Sequence, residues 1–261
     1  MSNPIFYPGR LAGVAFTGSE AADASYPLTN LSTYDPDDKW QSNTTAANQT
    51  LNIDLGSAKT VDFVAFENHN FDAIADLSIK LQYDSADNPA FSSPADAYTM
   101  SGHGNGRLIA AVSSVSKRYW RIMFASTGAL SAKPYLGNLF IGEKFAPAYT
   151  FVFPYSAKNE RFTTARARSI SGKLRTAYSF GGILTWKIRF DMMDNTWLAA
   201  WLKFHQAVKG AACPFYYTDQ DGATWYVALS NDSNDAESIR YQLNSGSDLT
   251  MESFNVDQNP L

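Results

Sequence analysis

Through most of the first 145 residues, polar and apolar positions alternate with a period of two. The segments TLNIDLG (50–56), VDFVAFEN (61–68), LSIKLQYDS (77–85), RYWRIMFAS (118–126) and NLFIGEKF (138–145) each show this pattern and end in turn residues, which predicts short antiparallel strands of a sandwich or barrel. Two prolines and a polar stretch interrupt the pattern in KFAPAYTFVFPYSAKNERF (144–162). The spacing therefore predicts a linker near 146–155 and two domains, 1–147 and 148–261. Beyond it ILTWKIRFDMM (183–193) reads as a strand. The period then changes to that of a helix over DNTWLAAWLKFHQAVKG (194–210), with Trp197, Leu198, Trp201, Leu202, His205 and Val208 on one stripe, Asp194 or Asn195 as N-cap and Gly210 as the stop. Two further strands, PFYYTD and TWYVALSN, flank QDGA, whose Asp-Gly pair predicts a hairpin. SIRYQLNS and DLTMESFNV complete a second β set.

Composition agrees with a mostly-β protein. The 261 residues are 45% hydrophobic and 14% aromatic, enough for sizeable cores and biased toward strands. The net charge of −4 argues against a nucleic-acid backbone as the main partner, which calls for clustered excess Lys and Arg. The acidity sits in the first half: 14 acids against 10 bases up to Thr150, then 11 against 11. The single cysteine, Cys213, excludes an internal disulfide and is expected as a buried thiol. The start MSNPIFYPGRL lacks a charged region followed by a long apolar run, and no stretch reaches 18 apolar residues. These features predict a soluble chain made in a reducing cytosol without Sec-type export.

Candidate chemistry is sparse. AFENHNFDA (65–73) puts an acid, a histidine and two asparagines among aromatics. His69 arrives where the alternating strand ends, however, and asparagine closes turns through its own backbone bonds. A strand corner is the expectation, with a ligand contact as the alternative. His103 lies in SGHGNGR and His205 on the helix, so no histidines stand at zinc spacing. Nucleophile elbows, phosphate loops and metalloprotease helices are missing. Nothing selects a carboxylate pair for glycoside hydrolysis, and the expectation is a protein without catalytic activity or cofactor.

YPLTNLSTYDPDDKWQSN followed by TLNIDLGSAKTVDFVAFEN, then SIKLQYDS, KRYWRIMF and YLGNLFIGE, resembles the discoidin-like (F5/8 type C, galactose-binding-like) family across residues 10 to 145. The resemblance implies a jelly-roll sandwich whose end loops handle ligands and sometimes calcium. It makes Asp35, Asp37 and Asp38 candidate hard oxygen ligands, Trp40 a candidate flat face for a sugar ring, and Asn43 a further member of that glycan or calcium loop. The alternative is that Trp40 packs in the core and the Asp-Pro-Asp-Asp cluster is a solvated turn.

MMDNTWLAAWLKFHQAVKGAACPFYYTDQDGATWYVALSND resembles tail proteins of long-tailed bacteriophages, in particular distal tail and tail-tube-like domains, over residues 150 to 255. That resemblance implies a second β-sandwich or barrel with one helix, building a ring of six copies in the virion tail after assembly in the host cytoplasm. It also implies the tail-tube protein and a baseplate hub as partners. The added domain comes first here, a departure from the commoner arrangement. Lys158, Arg161, Arg166, Arg168, Lys173 and Arg175 face only Glu160 in charge over that stretch, which makes it either a solvated hairpin or an assembly arm that orders against an acidic neighbour. Two functions follow: a structural virion protein at the distal tail, or a binding module for host-surface glycan. A secreted glycan-processing enzyme is the weaker third.

Overall fold

The computed structural model describes residues 3–9, 14–35, 37–100, 107–147, 156–168, 174–188, 194–210, 212–230, 237–240, 243–245 and 249–253, and of 156–168, 174–183, 187, 237–240, 243–245, 249–250 and 252–253 the backbone alone. The protein is mostly β, with antiparallel sandwich sheets and, among the described residues, one α-helix. Its chain forms two compact units, Gly9–Lys144 and, together, Met1–Pro8 with Phe145–Leu261. The division differs from the expected 1–147 and 148–261. The first strand, β1 (Ile5–Pro8), belongs to the second unit, so the Gly9–Lys144 unit is an insertion.

That unit contains β2 (Ala15–Gly18), β3 (Trp40–Gln41), β4 (Gln49–His69), β5 (Ser78–Asp84), β6 (Pro94–Met100), β7 (Leu108–Ala125) and β8 (Tyr135–Gly142). The hydrogen-bonded order is β3-β8-β4-β7-β5-β6, with β2 on β4 and every pairing antiparallel. The long strand β4 organises the rest. Its first half pairs with β2 and buries Leu51, Ile53 and Leu55, while its second half pairs with β8 and buries Val64 and Phe66. The core side thus moves from odd to even positions, and the register shift between Val61 and Phe63 is where it does so, since one extra residue in a strand exchanges its two faces. Trp120, Ile122 and Phe124 from β7 and Ile79 and Leu81 from β5 complete the core.

The second unit holds β9 (Ser156–Arg168), β10 (Leu174–Ile188), α1 (Asn195–Ala207), β11 (Phe215–Thr218), β12 (Thr224–Leu229), β13 (Glu237–Arg240), β14 (Leu243–Ser245) and β15 (Leu249–Ser253). Six strands form one sheet in the order β1-β11-β12-β15-β10-β9. Strand β1 pairs antiparallel with β11, and Phe6 is fully buried, its ring 5.2 Å from both Phe204 and Tyr217. Its backbone exchanges two hydrogen bonds with Phe145, at 2.9 and 2.8 Å. Three apolar residues ahead of a proline are too short a pattern to announce a strand, but a proline is tolerated at a sheet edge, where β1 lies.

Helix α1 starts as expected: Asp194 Oδ1 accepts the amide of Trp197 at 2.7 Å, an N-cap bond. It stops at Lys209 and Gly210, both at positive φ, where Gly210 N donates to His205 O at 3.1 Å. The buried stripe is Trp197, Trp201, Phe204 and Val208. Leu202, expected on it, is 39% exposed, because five residues on from Trp197 lies about 140° around the helix while Phe204 returns to within about 20°. The Asp-Gly hairpin joins β11 to β12, with Gly222 at φ 86. Asp219 organises it by accepting the amides of Asp221 and Ala223 and the indole N–H of Trp225.

Candidate functional site

Between Lys39 and Asn43 the chain is extended, and burial alternates residue by residue: Trp40 and Ser42 turn inward, Lys39, Gln41 and Asn43 outward. Trp40 is 2% exposed and its ring lies stacked 6.0 Å from Phe124. It offers no face to a sugar ring, which corrects that part of the loop assignment in favour of the core alternative. The outward parity is the informative one. Gln41 lies opposite Tyr135 across the β3–β8 pair, and side chains at directly opposed positions share a face.

Tyr26 joins them, because its carbonyl accepts the Gln41 amide at 3.2 Å. Lys39 Nζ then sits 4.8 Å from the Tyr26 ring centre and 4.2 Å from that of Tyr135, two cation–π contacts worth about 0.5–1 kcal/mol each at an accessible site. Asn30 Nδ2 donates to the Lys39 carbonyl at 2.9 Å and fixes its backbone. Lys133 lies next to this group, 3.7 Å from Asp23 Oδ2 and 3.5 Å from Asn43 Oδ1. Tyr26, Lys39, Gln41, Lys133 and Tyr135 are all part-exposed. Among the described residues none supplies a hydrogen-bond partner to Lys39 Nζ, the hydroxyls of Tyr26 and Tyr135 or the side-chain amide of Gln41. The result is a ledge of two aromatic rings fringed by uncommitted polar tips.

The corner at AFENHNFDA holds this ledge in place. Strand β4 ends at His69, which is 5% exposed and stacked 4.3 Å from Phe71, and Asn68 takes the left-handed conformation at φ 52. Asn70 then clamps the ledge strand at two points: its Nδ2 donates to Lys133 O, and its Oδ1 accepts the Tyr135 amide, both at 2.9 Å. Glu67 and Arg107 form a buried ion pair at 2.9 Å.

The acidic loop does not converge. Asp35, Asp37 and Asp38 are exposed; Asp35 Oδ1 accepts the Asp37 amide at 2.9 Å and its carbonyl accepts that of Asp38, so it caps its own turn. Among the described residues no three His, Cys, Asp or Glu side chains gather as a metal cluster. Of the basic stretch, Lys158, Arg161, Arg166 and Arg168 lie in β9 and Arg175 in β10, the two strands being paired; Lys173 lies outside the described residues, as do SGHGNG (101–106) and residues 148–155 of the linker expected at 146–155. Cys213 is buried. No helix among the described residues is long and apolar enough to cross a membrane.

Sequence reasoning missed Tyr26 and Tyr135, which are far apart in the chain and meet only through the β3–β8 pairing. A signal was present in KWQSN, where polar residues flank Trp40 at period two. No protein-family model and no curated protein matches the chain. Solved structures similar to it include chitosan-binding module 1 of a chitosanase/glucanase from Paenibacillus sp. IK-5 (15% identity, 52% of this chain and 98% of that one, TM-score 0.43). Others are the CBM32 of AlyQ in complex with 4,5-unsaturated mannuronic acid (26%, 52% and 96%, TM-score 0.39) and a Ruminococcus gnavus GH29 fucosidase in complex with fucose (14%, 52% and 27%, TM-score 0.43).

Proposed function

We propose that the Gly9–Lys144 unit is a carbohydrate-binding module and that its ligand lies on the ledge of Tyr26, Lys39, Gln41 and Tyr135. The observation that carries this reading is the set of uncommitted polar tips around two aromatic rings. A saccharide presents alternating C–H faces and hydroxyls, and takes aromatic surface together with donors and acceptors placed at its edge. Binding without chemistry fits the same residues, since Asp23 is the single carboxylate among the ledge residues named and hydrolysis of a glycosidic bond takes two. Calorimetric titration of the full chain with a panel of oligosaccharides tests it: saturable binding is expected, lost in the Tyr26→Ala/Tyr135→Ala double variant. A double variant that binds like the parent refutes it.

A second reading concerns the other unit. The six-stranded sheet ends in β9, a 13-residue strand hydrogen-bonded on one side to β10 and carrying four bases against one acid. Among the described residues no strand pairs with its other side, and an edge of that length is a template for pairing with another chain, which supports self-association into a ring, as the virion tail reading requires. Electron micrographs of the purified protein decide it, closed rings being the expected result and isolated monomers the refuting one.

A further inference from the structure

Lys39 is the one cation of the ledge held without an anion. Lys133 has Asp23 at 3.7 Å, whereas Lys39 has two ring faces and no ion-pair partner among the described residues. The rings fix the position of the ammonium through their electron-rich faces and consume none of its three N–H donors. The ledge therefore carries two ammonium groups against one carboxylate, in a chain whose net charge is −4 and whose first 150 residues hold 14 acids against 10 bases. Asp35, Asp37 and Asp38 lie exposed in the turn just before Lys39, yet none forms an ion pair with it among the described residues, so its charge stays available to set the register of a ligand of opposite charge.

Lys39 lies over a face of each tyrosine, so a sugar that meets these rings also meets the ammonium. A neutral saccharide gains little from an ammonium that must keep its water. A carboxylate gains charge-assisted hydrogen bonds to donors already positioned. Resting on the carbohydrate reading above, we infer that the ledge selects a saccharide bearing carboxylates, of the uronic-acid type. Lys39 takes the carboxylate, and the Tyr26 and Tyr135 hydroxyls and the Gln41 amide take neighbouring hydroxyl groups.

The test is calorimetric titration of the full chain with tetragalacturonate and tetramannuronate, with the methyl ester of each, and with neutral cellotetraose. At least one acid is expected to bind about tenfold or more tighter than its ester, the scale of a hydrogen bond to a charged group. Raising the salt from about 50 to about 500 mM should shrink that gap, since the contact is accessible to screening. Lys39→Gln should abolish the gap between acid and ester, and Lys39→Arg should keep most of it; unchanged melting curves show that both variants fold. If acids and esters bind alike, or the gap survives in Lys39→Gln, the acidic selection is overturned while the module remains a carbohydrate binder. If no saccharide in the panel binds, the carbohydrate reading falls and this inference with it.

Discussion

The two units are closed in opposite ways. Gly9–Lys144 is continuous in sequence, and its strands find partners within their own stretch. The other unit is discontinuous: its sheet takes an outer strand from residues 5–8, and the Phe6–Phe145 hydrogen bonds close a loop that contains the whole inserted unit. Closing so long a loop in an unfolded chain costs entropy that grows with the logarithm of its length, and a folded insert whose ends are already held lowers that cost. A continuous unit carries its folding information with it, whereas a discontinuous one depends on a short segment remote in sequence from the rest of its sheet.

The largest expected effect breaks this asymmetry at its one-residue anchor. Phe6 is fully buried among Phe145, Phe204, Phe215 and Tyr217, and Phe6→Ala is expected to destabilise its unit by about 3–5 kcal/mol, the range for a buried aromatic truncated to alanine. Scanning calorimetry should show the transition of that unit falling while that of Gly9–Lys144 stays within error. A common shift of both transitions would show that the units fold as one and end the comparison.

Next comes Asn70, which ties the fold of the inserted unit to its ledge. Asn70→Ala leaves the Lys133 carbonyl and the Tyr135 amide without their clamp, at a cost of about 1–3 kcal/mol for backbone groups left unpaired. It should also weaken saccharide binding without removing any group proposed to touch the ligand. Loss of stability with full affinity retained would show that the ledge strand is held by β3 and β4 alone.

Acid should act on the inserted unit through Asp84. Its carboxylate accepts the amides of Ser93 at 2.8 Å, Ala86 at 2.9 Å and Asn88 at 3.0 Å, and these bonds, that from Ser93 foremost, hold its pKa below the ordinary carboxylate value. A group depressed on folding contributes stability above its unfolded pKa, about 3.9, and loses it as pH falls through the lower folded value. The expected outcome is a melting temperature that drops below about pH 4, with a smaller drop in Asp84→Asn. Equal acid sensitivity of parent and variant would assign the loss to other carboxylates.

Legibility in the sequence followed the range of the interactions. Helix α1, its Asp194 cap and the hairpin at Gly222 are set by residues within a few positions of one another, and the pattern of the chain shows them directly. The corner at His69 was legible for the same reason. What escaped depends on pairing between distant segments: β1 on β11, Tyr135 beside Tyr26, and the register shift in β4 that exchanges its faces. Trp40 marks the boundary. Its conspicuous ring draws attention to one face of β3, while the candidate chemistry lies on the other, at Lys39 and Gln41.

The smallest expected effect on stability is the most informative about function. On the outward face, Tyr135 and Lys39 are part-exposed, and truncating Tyr135 costs little beyond its cation–π contact with Lys39, about 0.5–1 kcal/mol. Trp40, one residue away, is buried against Phe124 and belongs to the class whose truncation costs about 3–5 kcal/mol. Tyr135→Ala should therefore melt almost with the parent while losing most saccharide affinity, and Tyr135→Phe should keep the aromatic face and lose only the share owed to the hydroxyl. Trp40→Ala should do the reverse, lowering the transition of the Gly9–Lys144 unit and weakening binding only in proportion to the unfolded fraction. Parent-like affinity in Tyr135→Ala, or loss of affinity in Trp40→Ala at a temperature where it is fully folded, would place the ligand on the opposite face of the same two-residue strand.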